Sequence, residues 1–368
     1  MNTDQPKDLV RTLHHVCESL EPMAFMEVCG THTVSFQRSG VKSLLPSNVK
    51  LISGPGCPVC VSSQGYIDAA CAIASSPAIT ICTYGDMLRV PGRSGSLQEQ
   101  RAVGADVRVV YSPLDAVRLA EAHPERTVVF IAVGFETTVG GHAAAVLEAQ
   151  QRGLDNFCLL ASQKLVVPAM LALLEEGEVR IDGFLCPGHV SVIIGPNAYV
   201  PVVRDHRKPC VIAGFEPEQM LRGIIQLVRQ VAQRSPRIEN IYPAAVKPDG
   251  NPKAVAVINE VFEPSDSVWR AMGTIPLSGL ALRSKYRRFD ALKRFDVEIG
   301  PDYDPPGCSC GQVLQGKVEP RDCPLFGTEC TPMKPIGPCM VGSEGSCAAA
   351  FKYGGNGTPR ACALSDGS

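Results

Sequence analysis

The 368-residue chain lacks several patterns that mark common functional classes. It has no stretch of about 18 apolar residues, so we expect no transmembrane helix. The polar N-terminal segment MNTDQPKDLVRTLHH lacks the apolar core of a signal peptide. No long run of one charge occurs, and 35 Lys and Arg residues nearly balance 37 Asp and Glu residues. This balance disfavours nucleic acid or an anionic membrane as the main partner. Since we find no signal peptide and no transmembrane segment, we expect a cytoplasmic protein.

Motifs of several large enzyme families are missing too. No GxGxxG or GxxxxGKS/T loop occurs, so the usual nucleotide-binding fingerprints are absent. The segment GCSCG (307–311) matches the GxSxG pattern, but no apolar strand precedes it, so it does not support a Ser–His–Asp hydrolase. Cysteine, in contrast, is abundant, with 16 residues. In a reducing compartment so many thiols indicate metal binding or redox chemistry rather than a disulfide framework.

Short apolar runs alternate with helix-like segments between residues 24 and 215. This alternation is typical of parallel strands in an α/β fold. Eight such units could form one large sheet, a (β/α)₈ barrel or two successive α/β domains, and the polar, Gly-rich segment 91–104 favours two domains. The predicted strands are Ala24–Val28, Val49–Ile52, Ala78–Cys82, Val107–Tyr111, Thr127–Val133, Phe157–Ala161, Gly183–Leu185 and Pro209–Ala213.

The predicted fold class is α/β, with two similar parallel-sheet domains and a small Cys-rich iron–sulfur domain at the C-terminus. From Gly300 onward Pro, Gly and Cys dominate, so this segment can bury little apolar surface. Its folding then requires metal ligation. We predict approximate domain boundaries at residues 1–110, 111–240 and 241–368, and a helix over 217–234.

The C-terminal segment contains a group of cysteines that could bind a metal. Buried small hydrophobic residues and structural zinc are two alternatives. Zinc sites usually pair their ligands as CxxC, which is absent here, whereas a [4Fe–4S] cluster tolerates longer and irregular spacing. The spacing favours the cluster and leaves open which four cysteines bind it. The candidates are Cys308, Cys310, Cys323, Cys330, Cys339, Cys347 and Cys362.

A second group of thiols lies near the N-terminus. Cys57 and Cys60 form a CxxC pair after the tight turn 54–56. Such a pair either cycles between dithiol and disulfide or binds a soft metal, and the pattern leaves both roles open. Cys29 follows the preceding predicted strand, with His32 three residues later. Three thiolates beside a histidine suit a low-spin iron ion better than magnesium or calcium.

Further polar residues follow other predicted strands. The loops after parallel strands lie at one edge of a sheet, where ligands bind. His32, Glu136 and His189 occupy such loops, and imidazole can act as an acid or a base. A histidine in such a loop can also be only structural. Hydroxyl groups in these loops could donate hydrogen bonds to a small anion, namely those of Thr31, Thr33, Thr137 and Thr138.

Seven distinctive motifs occur along the chain, namely EVCGTHT (27–33), SGPGCPVC (53–60), TYGDMLRVPG (83–92), VGFETT (133–138), PGHVS (187–191), DCPLFGTEC (322–330) and PCMVGSEGSCAA (338–349). In these motifs and in their order the sequence resembles the HypD family of hydrogenase maturation factors, over almost its whole length. Gly342 departs from the family pattern, which would have a serine, and Cys362 lies beyond any matched motif.

The resemblance implies a scaffold protein that acts with the small chaperone HypC. The scaffold holds iron while cyanide and carbon monoxide are attached, and the Fe(CN)₂CO unit then passes to the large subunit of a [NiFe]-hydrogenase. Cyanide would come from a thiocyanate group on a second partner, HypE. The resemblance also implies one [4Fe–4S] cluster near the C-terminus. The source of carbon monoxide and the hydrogenase that is served stay open.

The family's functional residues map onto this sequence through the matched motifs. The resemblance links Cys29 with HypC and iron binding, and it matches Cys57 and Cys60 to the family's CPVC pair. The expected catalytic set is Cys57, Cys60, His32, His189 and Glu136, and Cys29, Cys57 and Cys60 are the expected iron ligands. The cluster motif falls on Cys323, Cys330, Cys339 and Cys347, although Cys308 or Cys310 could replace Cys339.

The CxxC pair fits the expected chemistry. Releasing cyanide from a thiocyanate takes two electrons, whereas a cluster gives one at a time, and a dithiol stores two. We predict that Cys57 and Cys60 both exchange electrons and bind iron. The alternative is an iron–sulfur disulfide reductase acting on a protein partner, which would not need the loops of His32, Glu136 and His189. A structural-zinc α/β protein is a third interpretation.

Overall fold

The computed structural model describes residues 6–354, and their buried aliphatic runs form an α/β fold with two parallel sheets. The strands are Met23–Glu27 (β1), Val49–Ser53 (β2), Ile79–Thr83 (β3), Asp106–Val109 (β4), Thr127–Gly134 (β5), Phe157–Gln163 (β6), Gly183–Pro187 (β7), Cys210–Ala213 (β8), Ile238–Asn240 (β9), Phe262–Trp269 (β10) and Gly273–Leu282 (β11). The eight predicted strands are therefore confirmed as β1 to β8.

Helices follow most of these strands. The predicted helix over 217–234 is confirmed as α11. The helices are Pro6–Cys17 (α1), Gly30–Ser39 (α2), Pro58–Val61 (α3), Gln64–Ala74 (α4), Leu97–Ala102 (α5), Pro113–Ala122 (α6), Glu136–Gln151 (α7), Val166–Glu176 (α8), Gly188–Ile194 (α9), Val200–His206 (α10), Pro217–Ala232 (α11), Pro252–Val261 (α12), Ala291–Phe295 (α13), Cys310–Leu314 (α14), Pro338–Val341 (α15) and Ser346–Tyr353 (α16).

The first sheet has the strand order β2-β1-β7-β8-β9, and all of its strand pairs are parallel. Strand β1 is hydrogen-bonded on both sides, and all five of its residues are buried. A strand covered on both faces reads as a continuous apolar run, which explains the segment MAFME at this position. The loops after β1, β2 and β7 therefore emerge next to one another.

The second sheet has the strand order β4-β3-β5-β6, again with parallel pairs. Its central strand β5 is apolar from Val128 to Val133 and almost fully buried. The remaining strands, β10 and β11, form an antiparallel hairpin. Two separate parallel sheets replace the single sheet and the barrel that the strand pattern alone also allowed.

The two sheets do not coincide with the expected segments 1–110 and 111–240. The chain leaves the first sheet after β2, builds the whole second sheet, and returns to the first sheet with β7. There Gly183 pairs with Phe25 on the free side of β1. This long-range pairing gives β1 its interior position in the sheet, and no local pattern in the sequence predicts it.

The Cys-rich segment packs against the rest of the chain rather than around a core of its own. Cys310 and Cys339 share one buried apolar cluster with Met26 and Phe184 of the first sheet. Val341 belongs to the apolar cluster of the second sheet. A separate C-terminal domain is thus not confirmed, because a segment so poor in large apolar residues buries its surface against both sheets. Cys362 lies outside the described residues.

Across residues 6–354, the helices are all too short or too polar to cross a membrane.

Candidate functional site

A cleft of about 450 Å³ lies where loops from both sheets meet. Cys29, Gly56 and His189 line it from the loops after β1, β2 and β7 of the first sheet. Thr137 and Thr138 line it from the start of α7, after β5 of the second sheet. The carboxyl ends of parallel strands from two sheets therefore face one space, which is where ligands bind in such folds.

Cys29 occupies the N-cap position of α2, and its sulfur faces the first backbone N–H groups of that helix. The side chain lines the cleft although the residue is only 8% exposed. Burial raises the pKa of the Cys29 thiol to about 12, although the nearby backbone N–H groups of His32 and Thr31 oppose the shift. The free thiol therefore holds its proton, and a metal ion that binds the sulfur must displace it.

A buried carboxyl group, that of Glu27, holds the loop around Cys29 in place. Its Oε1 accepts a 2.5 Å hydrogen bond from the hydroxyl of Thr33, and its Oε2 accepts one of 3.2 Å from the Cys29 backbone N–H. Burial raises the pKa of Glu27 to about 8. Sequence analysis missed this residue, and its signal was a single acidic residue that ends an otherwise apolar strand.

The two histidines occupy different environments. His189 is exposed and lines the cleft. His32 is fully buried behind it, with Nε2 3.0 Å from the Gly214 carbonyl oxygen, and burial lowers its pKa to about 4. The Phe215 ring connects them, with its centroid 4.7 Å from that of His32 and 4.2 Å from that of His189. Only His189 therefore reaches the cleft.

Glu136 does not line the cleft, although its neighbours Phe135 and Thr137 do. Its Oε1 accepts a 3.0 Å hydrogen bond from the Val166 backbone N–H, at the first residue of α8. Its Oε2 is buried without a hydrogen-bond partner. Burial raises the pKa of Glu136 to about 7. The carboxyl group thus caps a neighbouring helix, and its expected catalytic role stays a prediction.

Cys57 and Cys60 are joined by a disulfide bond, with their Cα atoms 5.2 Å apart. Cys57 caps the short helix α3, and its sulfur accepts a 3.3 Å hydrogen bond from the Cys60 backbone N–H. The residue before it, Gly56, packs against the backbone of Cys29 and accepts a 3.0 Å hydrogen bond from the Gly30 backbone N–H. The disulfide therefore directly adjoins the Cys29 loop.

Six C-terminal cysteines surround one small cavity of about 10 Å³. The sulfurs of Cys310 and Cys339 are 2.8 Å apart. Sulfur–sulfur hydrogen bonding with Cys308 and Cys339 lowers the pKa of Cys310. The rest of the wall is apolar or small. We call this the thiol cavity, and its cysteines are Cys308, Cys310, Cys323, Cys330, Cys339 and Cys347.

The thiol cavity has the donor chemistry of an iron–sulfur site. No three His, Cys, Asp or Glu side chains within residues 6–354 are arranged to hold one metal ion. A [4Fe–4S] cluster makes a different demand, because its four thiolates bind four separate irons instead of converging on one point. Six thiols around one apolar cavity fit that demand. Which four would bind the cluster stays a prediction.

One short segment, residues 337–346, contacts all three sulfur sites. Cys339 lines the thiol cavity. Gly342 lies against the disulfide, since a Cβ atom on it would be 3.1 Å from the Cys57 sulfur and 3.4 Å from the Cys60 sulfur. Glu344 lines the cleft and accepts a 2.6 Å hydrogen bond from the Thr31 hydroxyl. We call this the bridging segment.

The bridging segment is also anchored to the second sheet. The backbone N–H and the hydroxyl of Ser343 both donate 2.8 Å hydrogen bonds to Asp86, in the loop after β3. Sequence analysis missed Glu344 as a site residue. Its signal was a single carboxylate in the small-residue loop between Cys339 and Cys347.

The chain matches known proteins over nearly its whole length. A family model described as HypD, "Hydrogenase formation hypA family", matches residues 4–354. Hydrogenase maturation factor HypD of Rhizobium leguminosarum bv. viciae is 47% identical over 356 residues, which cover 95% of this chain and 92% of the relative.

Two further relatives carry the same name. The protein of Cupriavidus necator is 48% identical over 338 residues, which cover 90% of this chain and 89% of the relative. The protein of Escherichia coli strain K12 is 43% identical over 357 residues, which cover 95% of this chain and 96% of the relative. With the motifs above, these matches show that the chain belongs to the HypD family of hydrogenase maturation factors.

Proposed function

We propose that this hydrogenase maturation factor is a scaffold on which an iron ion acquires its cyanide and carbon monoxide ligands. The iron binds the Cys29 sulfur in the cleft together with a HypC-type chaperone, and the Fe(CN)₂CO unit then passes to the large subunit of a [NiFe]-hydrogenase. The observation that carries the proposal is the bridging segment, whose ten residues contact the cleft, the disulfide and the thiol cavity.

Cys29 is suited to hold iron during assembly. Iron binding displaces the thiol proton, and the N–H groups at the start of α2 then stabilise the sulfur's negative charge. Glu27 keeps the loop in one conformation through its bonds to Thr33 and to the Cys29 backbone. Thiolate ligation also suits the low-spin iron that strong-field cyanide and carbon monoxide ligands produce.

The cleft supplies proton-exchanging and hydrogen-bonding groups around this iron. His189 is exposed at its wall and can donate or accept a proton during ligand transfer. The hydroxyl of Thr137 can donate a hydrogen bond to an anionic ligand such as cyanide, whereas the Thr138 hydroxyl donates to the Phe135 carbonyl oxygen, 3.1 Å away. His32 lies behind His189 and holds the loop after β8 through its bond to Gly214.

Cyanide transfer requires an electron pair, which the reduced Cys57 and Cys60 thiols can supply. The bond between sulfur and carbon in the thiocyanate of a HypE-type partner breaks, cyanide goes to the iron, and the partner's sulfur leaves as a thiolate. The two thiols give up two electrons and two protons and form the disulfide. One proton neutralises the partner's thiolate, and the other goes to a cleft base or to solvent.

Regeneration of the dithiol calls for a nearby electron donor. A [4Fe–4S] cluster held by four cysteines of the thiol cavity would supply single electrons when bound. Helix α15 lies between the two sites, since it contains Cys339 and its Pro338 carbonyl oxygen is 3.9 Å from the Cys60 sulfur. Two electrons and two protons convert the disulfide back into two thiols.

The burial of the disulfide disfavours the alternative function of a disulfide reductase acting on a protein partner. Cys57 is 4% exposed and Cys60 is 0% exposed, so a disulfide on another protein has no direct access to either sulfur. The thiocyanate group of a HypE-type partner is smaller than a protein disulfide and can enter the cleft that Gly56 and Pro58 line, and an internal electron donor needs no access from the surface.

Infrared spectroscopy of the protein, coproduced with its HypC-type and HypE-type partners and purified without oxygen, tests the proposal. We expect bands of iron-bound cyanide and carbon monoxide in the wild type and none in Cys29→Ala. Cys71→Ala is the matched control, because Cys71 is buried on α4 and lines neither the cleft nor the thiol cavity. Wild-type protein without such bands would contradict the scaffold function.

A further inference from the structure

Arg270 is a fully buried arginine that contacts the end of the CxxC helix. Its exposed fraction is 0%. Its backbone N–H donates a 2.9 Å hydrogen bond to the Val61 carbonyl oxygen, and its Nε donates one of 3.1 Å to the Ser62 carbonyl oxygen. The guanidinium group is therefore held at the C-terminal end of α3, the helix that Cys57 caps and that contains Cys60.

The next residue, Ala271, packs against the helix that begins in the thiol cavity. Its Cβ lies against Gly311, the second residue of α14. Its carbonyl oxygen accepts a 2.6 Å hydrogen bond from the Gln315 side chain, at the end of the same helix. Arg270 and Ala271 therefore connect the end of α3 with the start of α14, the helix that begins at Cys310 of the thiol cavity.

The two terminal nitrogens of Arg270 are buried without hydrogen-bond partners. A buried charge is strongly unfavourable unless a group of opposite charge compensates it. Asp304 is near enough for Arg270 to counteract the effect of burial on the pKa of Asp304, yet neither terminal nitrogen of Arg270 forms a hydrogen bond with it. The protein groups around Arg270 therefore leave its charge incompletely compensated.

A [4Fe–4S] cluster bound by four thiolates carries a net negative charge, which grows by one unit when the cluster is reduced. A fixed positive charge beside it favours the reduced state, and burial protects this interaction from screening by salt. The unpartnered guanidinium belongs to the residue before Ala271, which packs against Gly311 next to Cys310 of the thiol cavity. It therefore has the sign and the location that this role requires.

We propose that Arg270 is the counter-charge of the cluster in the thiol cavity and raises the reduction potential of that cluster. This inference rests on the proposed function, because the cluster is its electrostatic partner. Arg270 would then set how readily the cluster accepts each electron before passing it towards Cys57 and Cys60. It is a positioning residue, since it would act through the cluster and not on cyanide or iron.

A redox titration of the full-length protein, purified without oxygen and followed by cluster absorption, tests this role. In Arg270→Met we expect the ratio of reduced to oxidised cluster at a fixed potential to fall about tenfold, or about 59 mV for a one-electron couple. Arg270→Lys keeps the charge and should shift the ratio much less. Arg118→Met, an equal change of charge at an exposed position on α6, should leave the potential unchanged.

The outcomes separate this inference from the proposed function. If Arg270→Met holds a full complement of cluster with the wild-type reduction potential, the role of Arg270 is contradicted and the proposed function is not. If Arg270→Met cannot hold a cluster, Arg270→Lys decides: a loaded cluster near the wild-type potential supports the charge, and a cluster lost or strongly shifted contradicts it. Wild-type protein without any cluster would contradict the proposed redox function, and with it the partner assigned to Arg270.

Discussion

The Thr31 hydroxyl donates a 2.6 Å hydrogen bond to the carboxylate of Glu344, a residue 313 positions later in the chain. This bond fastens the bridging segment to the loop that presents Cys29. The hydrogen bond makes the contact between the C-terminal cysteine segment and the cleft specific. A substitution at Thr31 can remove it with little change in side-chain volume.

We expect Thr31→Val to weaken the link between the cleft and the bridging segment. The loss of a hydrogen bond to a carboxylate should lower the free energy of unfolding by about 2 kcal/mol, measured by denaturant titration. Less iron should remain in the cleft, while cluster absorption stays at the wild-type level. Thr12→Val on α1 is the control, and equal iron occupancy in both variants would mean that the link is dispensable for assembly.

Gly56→Ala should disrupt the contact between the CxxC loop and Cys29. A Cβ atom on Gly56 overlaps the Cys29 backbone, so the two loops must separate. We expect a loss of about 1–3 kcal/mol in unfolding free energy and a loss of cleft iron. Gly140→Ala in α7 is the control, because a Cβ there meets no other atom. The free energy of unfolding of Gly140→Ala should rise by up to about 1 kcal/mol. Unchanged iron binding in Gly56→Ala would contradict the assigned proximity of the two loops.

Cys57→Ser should leave the fold and the cluster spectrum unchanged and stop hydrogenase maturation. Serine nearly keeps the volume but cannot form a disulfide or store an electron pair. Thiol trapping with mass spectrometry at controlled potential should show wild-type Cys57 and Cys60 converting together between dithiol and disulfide, and Cys71→Ser serves as the control. Two results together would contradict the electron-transfer role of the pair. Cys57→Ser would still support hydrogenase maturation, and both wild-type thiols would react with the alkylating reagent at every potential. If the wild type shows no disulfide and Cys57→Ser loses iron, Cys57 and Cys60 act only as iron ligands.

Glu136 should make stability depend on pH. Its pKa in the folded protein is about 7, above the ordinary value of 4.5, so the folded state binds its proton more tightly than the unfolded state does. The destabilisation due to this group is absent below pH 4.5, grows as pH rises towards 7 and is complete above it. The stability of Glu136→Gln relative to the wild type should therefore increase by about 2 kcal/mol between pH 5 and pH 8.

Denaturant titrations of both proteins across this range measure the difference. Glu148→Gln on the same helix is the control, because Glu148 is partly exposed beside Arg152 and its removal should give no such trend. A relative stability of Glu136→Gln that does not change with pH would mean that the carboxyl group is not protonated in the folded protein near neutral pH.

The approach of Cys29 to the CxxC pair was predictable from the sequence, because both follow apolar strands and adjacent parallel strands end at one edge. The strand order was not predictable. Strand β7 pairs with β1 after the chain has built a second sheet, and this pairing depends on contacts between segments about 160 residues apart.

The directions in which the side chains point could not be predicted from the sequence either. His32 and His189 both follow strands, yet one is buried against Gly214 and the other lines the cleft. Glu136 follows a strand as well, but its carboxyl group caps α8. Arg270 and Glu344 acquire their significance from neighbours more than 200 residues away, so no local motif could have identified them.

Mössbauer spectroscopy of ⁵⁷Fe-labelled protein, coproduced with its partners without oxygen, tests the central claim most directly because one spectrum reports both iron sites. The wild type should show a [4Fe–4S] component and a separate low-spin ferrous component. Cys29→Ala should keep the first component and lose the second. An undiminished low-spin component in Cys29→Ala, or a wild-type spectrum without one, would contradict the account that Cys29 holds the iron during assembly.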